Sequence, residues 1–350
     1  MTVKGVVKLF KPALQAQADR LSPLPPKCRL TLDIEKVAKT ARPTAEQSRN
    51  HTEFFQEISE TVRKCIIGGE SVPFGSAVNG FWTPTSDLDV CVKVPDRRVT
   101  MNYQTPDSRM ESVSALKTLS LEISRKKNWN CSTSRLTAKV PILRVIKEIS
   151  TGNFLSADIS ANNHLAVENS GLISSYVTAN SALRPLGLAI KLWAASRGLN
   201  DRSKGTLSSF ALICMTIHFL QKRKMLPDLQ WMAVERGLPA RWVGEADVRW
   251  CNVSNEGDAQ ETLGDLLTDW FRYFSYEYSG GVISMTKRWK REGDPRAVTE
   301  IGNSFLWVEN PFQPGIDVAN VTETEKILLE LKRGYGLCKN DEGLRGLCGL

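Results

Sequence analysis

The sequence is poor in the residues that build thiolate and imidazole metal sites. It has three histidines, and its eight cysteines, at 28, 65, 91, 131, 214, 251, 338 and 348, form no Cys-x-x-Cys pair. Those counts argue against a zinc site. Cys65, Cys91 and Cys214 lie in apolar surroundings and read as reduced core thiols, which fits an intracellular, reducing compartment. A membrane-length apolar run is also lacking. The longest stretch, Phe210 to Leu220, is broken by Thr216 and His218 and is too short to span a bilayer. No internal repeat or low-complexity tract appears. Acids are missing before Asp19, and the segment Met1–Lys11 is compatible with a mitochondrial-type presequence or with an ordinary helix docked on the body. Mitochondrial residence is the expectation, with the cytoplasm as alternative.

What is present is positive charge in an ordinary globular composition. The net charge is +8 and the pI about 9.0, which suits a polyanion such as RNA. Basic clusters fall at Arg125-Lys126-Lys127, Lys222-Arg223-Lys224 and Lys287-Arg288-Trp289-Lys290-Arg291. The last encloses an aromatic, as a single-strand groove does. The 350 residues suffice for two domains with proper cores.

The most informative string runs from Val72 to Val90. It joins Gly75-Ser76 to Ser86-Asp87-Leu88-Asp89-Val90. In a strand, side chains alternate faces, so Leu88, Val90, Val92 and Val94 point to a core while Asp87, Asp89, Cys91 and Lys93 point away. Gly75 lets backbone approach a phosphate, and Ser76 with nearby N–H groups can bond its oxygens. Asp87 and Asp89 are of the type that holds Mg²⁺, which takes one or two protein carboxylates plus substrate phosphates.

A third carboxylate follows downstream. Val140–Lys147 reads as a strand, Ser150-Thr151-Gly152-Asn153 as a turn and Phe154–Ser160 as the returning strand. Asp158 shares a face with Ser156 and Ser160. A hairpin beside the Asp87/Asp89 strand would bring Asp158 to the same site. Helical periodicity marks residues 45–66 and 109–127, and later 170–180, 182–197, 206–223 and 261–278. The Pro23-Leu24-Pro25-Pro26 run reads as a non-helical separator.

Gly-Ser, then Ser-Asp-Leu-Asp-Val, then Ala-Asp-Ile-Ser resembles the DNA polymerase β-type nucleotidyltransferase superfamily. Segments from Arg184 to Trp193, Arg197 to Asn200 and Gly205 to Phe210 resemble the central domain of noncanonical poly(A) polymerases and terminal uridylyltransferases. Glu309–Phe312 and Asp317–Ala319 resemble their base-recognition segment. The likeness covers about residues 50–325 and is nearest to the small trypanosomatid uridylyltransferases.

The resemblance implies an α+β fold. A nucleotidyltransferase catalytic domain at 45–165, a mixed sheet with helices on one face, is followed by a mainly helical poly(A)-polymerase-like domain at 166–350. The active-site cleft is expected between them, and residues 1–44 are expected to pack on the second domain. It implies two Mg²⁺ (or Mn²⁺) ions on Asp87, Asp89 and Asp158, and transfer of UMP from UTP to an RNA 3′-hydroxyl without a template. A poly(A) polymerase using ATP is the alternative, and a non-catalytic RNA-binding subunit the reading from another class. Implied nucleotide contacts are Gly75, Ser76, Ser86, Asn169, Ser170, Lys191, Ser209, Phe210, Asn310 and Gln313. Asn169-Ser170 also suits an N-cap before a helix at 171. The family's second triphosphate lysine is Ala195 here, with Lys204 a candidate replacement. The family's uridylyl-specific acids are Asn310 and Gln313, and Ile316 stands where a His is frequent. Implied partners are an RNA 3′ end, UTP and a multiprotein RNA-editing-like complex, with no membrane.

Overall fold

The computed structural model describes residues 26–95, 106–254, 261–288, 306–340 and 342–349. The Met1–Lys11 segment and positions 289–291 of the third basic cluster lie outside the described residues. The chain divides into two units, one of residues 43–174 and 240–248, the other of residues 1–42, 175–239 and 249–350.

The first described element, α1 (Pro26–Thr40), belongs to the second unit. Its start corrects the reading of Pro26 as a separator: proline is tolerated in the first turn, where its missing N–H has no partner to lose.

In the first unit, α2 (Ala45–Cys65) opens with a capping box. Thr44 Oγ1 accepts from Gln47 N at 3.1 Å, and Gln47 Oε1 accepts from Thr44 N at 2.9 Å. Strand β1 (Glu70–Phe74), the single turn α3 (Ser76–Asn79) and β2 (Leu88–Lys93) follow. Next come α4 (Pro106–Ser124), β3 (Trp129–Ser132), β4 (Leu143–Ser150) and β5 (Asn153–Ala161). The sheet order is β1-β2-β5-β4-β3. Strands β2 and β5 are parallel and the other neighbours antiparallel. Phe54, Ile58 and Val62 of α2 and Leu116, Leu119 and Ile123 of α4 bury one face against Leu88, Val90, Val92, Leu143, Val145, Ala157 and Ile159. Truncating such a residue to Ala costs about 2–5 kcal/mol. The opposite face carries the even-numbered side chains of β4 and β5.

Helix α5 (His164–Ala179) starts earlier than the sequence suggests. Asn162, at φ +54°, ends β5 and ties it to β2, with its N–H on Val92 O and its Oδ1 accepting from Val94 N, each 2.8 Å. Asn169-Ser170 is therefore mid-helix, not an N-cap. Helices α6 (Leu183–Ser196), α7 (Ser209–Lys222) and α8 (Leu229–Glu235) build the second unit. The short pair β6 (Trp242–Val243) and β7 (Ala246–Asp247) returns to the first unit. Contacts between segments distant in the chain set that return, so periodicity did not reveal it.

Helix α9 (Leu263–Arg272) buries Leu266, Leu267, Trp270 and Phe271. Its continuation, Tyr273–Glu277, widens to a π turn, and Tyr278 N donates to Tyr273 O at 2.8 Å. Trp193 of α6 meets Phe271 edge-on at 4.8 Å and Trp270 at 6.0 Å. Strands β8 (Val282–Ile283), β9 (Trp307–Asn310) and β10 (Gln313–Asp317) form a small sheet. Helices α10 (Thr324–Lys339) and α11 (Gly343–Cys348) close the second unit.

Candidate active site

Gly75, between β1 and α3, has φ +65° and ψ −143°. Only glycine adopts that region without serious strain. A Cβ there would lie 2.0 Å from Asp89 Oδ2. The backbone turn is thus pressed against a carboxylate, and the missing side chain is what permits it. Ser170 Oγ of α5 accepts from Gly75 N at 2.8 Å and donates to Ala166 O at 2.7 Å. Ser170 is a clamp on the turn. Ser76, half-buried, begins α3.

Ser86 is buried and closes the turn before β2. Its Oγ accepts from Thr83 N at 3.0 Å, and its N–H donates to Thr83 O at 2.8 Å. Its hydroxyl serves the loop that delivers Asp87.

Register then places the acids. Parallel pairing sets Asp89 opposite Asp158, and β1 sets Phe74 on the other side of Asp89. Asp87, one residue outside β2, accepts from the Ser156 hydroxyl and from Arg144 at 3.0 Å. Burial raises the Asp87 carboxyl, while the Ser156 hydroxyl and the Arg144 charge lower it; the net lies below the ordinary value, so it stays ionised. Arg144 also reaches Asp158 Oδ1 at 3.5 Å, and Arg135 reaches Asp158 Oδ2 at 2.9 Å.

Sequence reasoning passed over Arg135 and Arg144. Arg144 had a signal, since an even position on β4 shares the face of Asp158 once the hairpin register is drawn. His51 of α2 was also missed. It packs edge-on against Trp82, ring centroids 4.7 Å apart, and burial lowers its pKa while Asp87 opposes. Asn169, half-buried, leaves its Oδ1 without a hydrogen-bond partner. A buried acceptor without a donor has capacity that a ligand hydroxyl can satisfy.

Among the described residues, no three His, Cys, Asp or Glu side chains stand ready to hold a metal ion as they are. Two arginines engage Asp158 instead. The donor chemistry nevertheless fits Mg²⁺. Asp87 and Asp89 flank one residue, Asp87 is held ionised, and the group already draws cations in the form of guanidinium. Mg²⁺ needs only one or two protein carboxylates when phosphates complete its shell.

The remaining expected contacts belong to the helical unit. Lys191 of α6 is only 7 % exposed. Ala195, one turn on, is buried, so that position is core rather than an open phosphate contact. Lys204 is exposed and pairs with Asp201 at 3.2 Å. Ser209 Oγ accepts from Asn200 Nδ2 at 3.1 Å, at the start of α7, and Phe210 beside it is half-buried. Asn310 ends β9, and its Oδ1 accepts from Phe312 N at 3.0 Å. Gln313 opens β10 opposite Asn310, and Ile316 is exposed.

A mixed sheet carrying this Gly-Ser turn, Asp89 and Asp158 on adjacent strands and Asp87 just before one of them is the arrangement that the resemblance to DNA polymerase β-type nucleotidyltransferases implies. The family model described as poly(A) RNA polymerase, mitochondrial-like, central palm domain matches residues 30–178. Poly(A) RNA polymerase GLD2-A of Xenopus laevis is 32 % identical over 284 residues, covering 78 % of this chain and 53 % of that protein. A crystal structure of mtPAP in complex with ATPγS is similar in fold at TM-score 0.75 and 21 % identity, covering 94 % of this chain and 77 % of that one. A Cid1 poly(U) polymerase structure with MgGTP bound gives 0.70 at 22 %, covering 88 % and 94 %. The family model and the curated relatives support the nucleotidyltransferase superfamily, with the noncanonical poly(A) and poly(U) polymerases, and the solved structures share its fold. It spans about half the length of the curated relatives it matches.

Proposed function

We propose that this chain is a template-independent RNA nucleotidyltransferase that transfers AMP from ATP to an RNA 3′-hydroxyl. Strand register carries the reading, because it sets Asp89 opposite Asp158 with Asp87 beside them and the Gly75 turn against Asp89. An RNA-binding scaffold has no use for that convergence. The choice of ATP shifts the sequence-based expectation of UTP toward its alternative. It is supported by curated relatives that are poly(A) RNA polymerases and by amides, not acids, at 310 and 313.

In this reading the 3′-oxygen forms a bond to the α-phosphorus, the bond between that phosphorus and the β-phosphate bridging oxygen breaks, and pyrophosphate leaves. Mg²⁺ held by Asp87 and Asp89 would neutralise charge on the phosphates. The Gly75-Ser76 turn offers backbone N–H groups and a hydroxyl to the triphosphate, with Ser170 fixing the turn. Asp158 accepts the 3′-hydroxyl proton after exchanging its arginine partners, since a general base must reach the proton it removes. Asn169 Oδ1 takes a ribose hydroxyl.

The test is a panel of the four nucleoside triphosphates with a short single-stranded RNA and Mg²⁺. Wild type should extend with ATP and Asp89→Ala should lose about three orders of magnitude, as when a charge-stabilising group is removed. Preference for UTP would overturn the choice of nucleotide, and activity retained in Asp89→Ala would overturn the site.

A further inference from the structure

The sheet of the first unit has a face that α2 and α4 do not cover. Along β5, Phe154, Ser156 and Asp158 share it, and along β4, Arg144, Ile146 and Glu148. Register orders the face in rows: Asp89, Asp158, Arg144 and Ser132 in one, Ser156, Ile146 and Asn130 in the next, Phe154 and Glu148 beyond. Two large apolar side chains are open to solvent there, Phe154 at 56 % and Ile146 at 37 %. They are diagonal cross-strand neighbours, about 7–8 Å apart at Cα and within reach of an aromatic ring. Phe154 lies four residues from Asp158, about 13 Å along the strand.

The flank of this face is strongly basic. From Ile123 to Lys147 the chain has seven Lys or Arg and no acid. Some are engaged: Arg135 and Arg144 on the catalytic acids, Arg125 on Glu122, and Lys147 on Glu57. Lys126 stands over the Trp129 ring at 4.8 Å, on the side of the sheet where Trp129 meets Phe54 of α2, while Lys127 and Lys139 are exposed. Neither Lys127 nor Lys139 is in an ion pair among the described residues. Arg109 anchors the β3–β4 loop by donating to Thr137 O at 2.9 Å and Lys139 O at 3.3 Å, which holds Lys139 at the edge.

An aromatic and an aliphatic on a flat surface, bordered by lysines, match a single strand of nucleic acid. Bases stack on rings whatever their sequence, and phosphates follow positive charge. A protein partner of the apolar pair would not need an acid-free border of this length.

We propose that this open face is the acceptor track: Phe154 and Ile146 stack the bases upstream of the RNA 3′ end, and Lys127 and Lys139 take backbone phosphates. The track runs to Asp158, where the terminal hydroxyl must arrive. This rests on the reading of the chain as an RNA nucleotidyltransferase and adds to it the surface that holds the acceptor.

The experiment reads binding without catalysis. A fluorescent single-stranded RNA blocked by a 3′-phosphate is titrated with the full chain in EDTA, without nucleotide, and followed by anisotropy. Phe154→Ala should bind about five- to a hundredfold more weakly, the range for loss of one base–aromatic stack, and Phe154→Trp should bind as wild type does. Lys127→Gln/Lys139→Gln should flatten the log–log salt slope by about 1.4, at roughly 0.7 per phosphate contact on a single strand. Phe154 is exposed, so its variants should melt with wild type. Phe154→Ala binding RNA as wild type does, or wild type failing to bind, overturns the track. If Phe154→Ala loses RNA while wild type extends no RNA with any nucleotide, the track stands and the enzymatic reading fails. If wild type extends RNA and Phe154→Ala binds normally, the reverse holds.

Discussion

The two units place their functional side chains by different means. In the sheet unit, Asp89, Asp158 and Arg144 meet because strand register leaves them nowhere else to go, and Asp87 and Arg135 join them from the adjoining loops. Asp89, Asp158 and Arg144 are cross-strand neighbours in one row. In the helical unit, Lys191, Ser209, Phe210, Asn310 and Gln313 ride on four separate elements, and Ser209 and Asn310 already have local partners. A register-built site tolerates no local shift, because neighbours move together. A dispersed set is expected to change one contact at a time.

Two glycines put the contrast to its most severe test. Gly75 in the sheet unit and Gly198 in the helical unit both have φ +65°. A Cβ on Gly75 meets Asp89 Oδ2, whereas nothing lies within 4 Å of one on Gly198. Gly198→Ala should cost only backbone strain, about 1 kcal/mol, and leave transfer unchanged. Gly75→Ala adds the displacement of a carboxylate, and a misplacement of about 1 Å costs about a hundredfold in rate. Thermal melting and steady-state transfer on both variants check this. Equal activity losses would mean that the close approach at Gly75 is not what matters.

Arg144 gives a smaller effect within the sheet unit. Its guanidinium bridges Asp87 and Asp158, partly neutralising both. Arg144→Gln leaves two half-buried carboxylates that lack their shared cation, which destabilises the metal-free protein. Added Mg²⁺ should then raise the melting temperature more than in wild type, with a midpoint at about tenfold lower concentration, roughly 1.4 kcal/mol of differential binding. An Mg²⁺ response equal to wild type would show that the arginine and the ion do not share the carboxylates.

How much of this was legible follows the same division. Alternation in Leu88–Val94 and in Phe154–Ser160 fixed which side chains face the core, and pairing rules then placed Asp158 beside Asp89. Arg144 was written in the same alternation, but a search for metal ligands does not look for the cation that stands in their place. Ser86 was readable as a polar residue beside Asp87, while its use by the Thr83 backbone depends on a turn that composition does not specify. The start of α5 was misplaced because Asn169-Ser170 makes a good cap on its own, and only the turn at Asn162 shows the helix beginning five residues earlier than Asn169, at His164. The π turn after Arg272 escaped for a related reason: the apolar stripe from Leu266 to Phe274 fits a 3.6-residue period, and one wider turn at its end does not disturb that pattern.

The helical unit's side of the comparison is tested at Asn310. Its Oδ1 is committed to Phe312 N, which closes the turn between β9 and β10, so the amide's remaining capacity is chiefly its NH₂ donors. Aspartate at this position keeps an oxygen for Phe312 and turns the donor side into an acceptor. Adenine offers an acceptor at N1, which the amide suits and the carboxylate repels. Uracil offers an N3–H donor, which the carboxylate suits. Asn310→Asp should therefore shift the ratio of kcat/KM for ATP over UTP toward UTP by about two- to tenfold, the net worth of one hydrogen bond. Melting temperature should hold, because the turn-closing acceptor remains. A change confined to the nucleotide ratio is the response of a dispersed contact, in contrast to the coupled loss expected at Gly75. An unchanged ratio would show that Asn310 does not face the base, and the discriminating contact would pass to Gln313 across the strand pair.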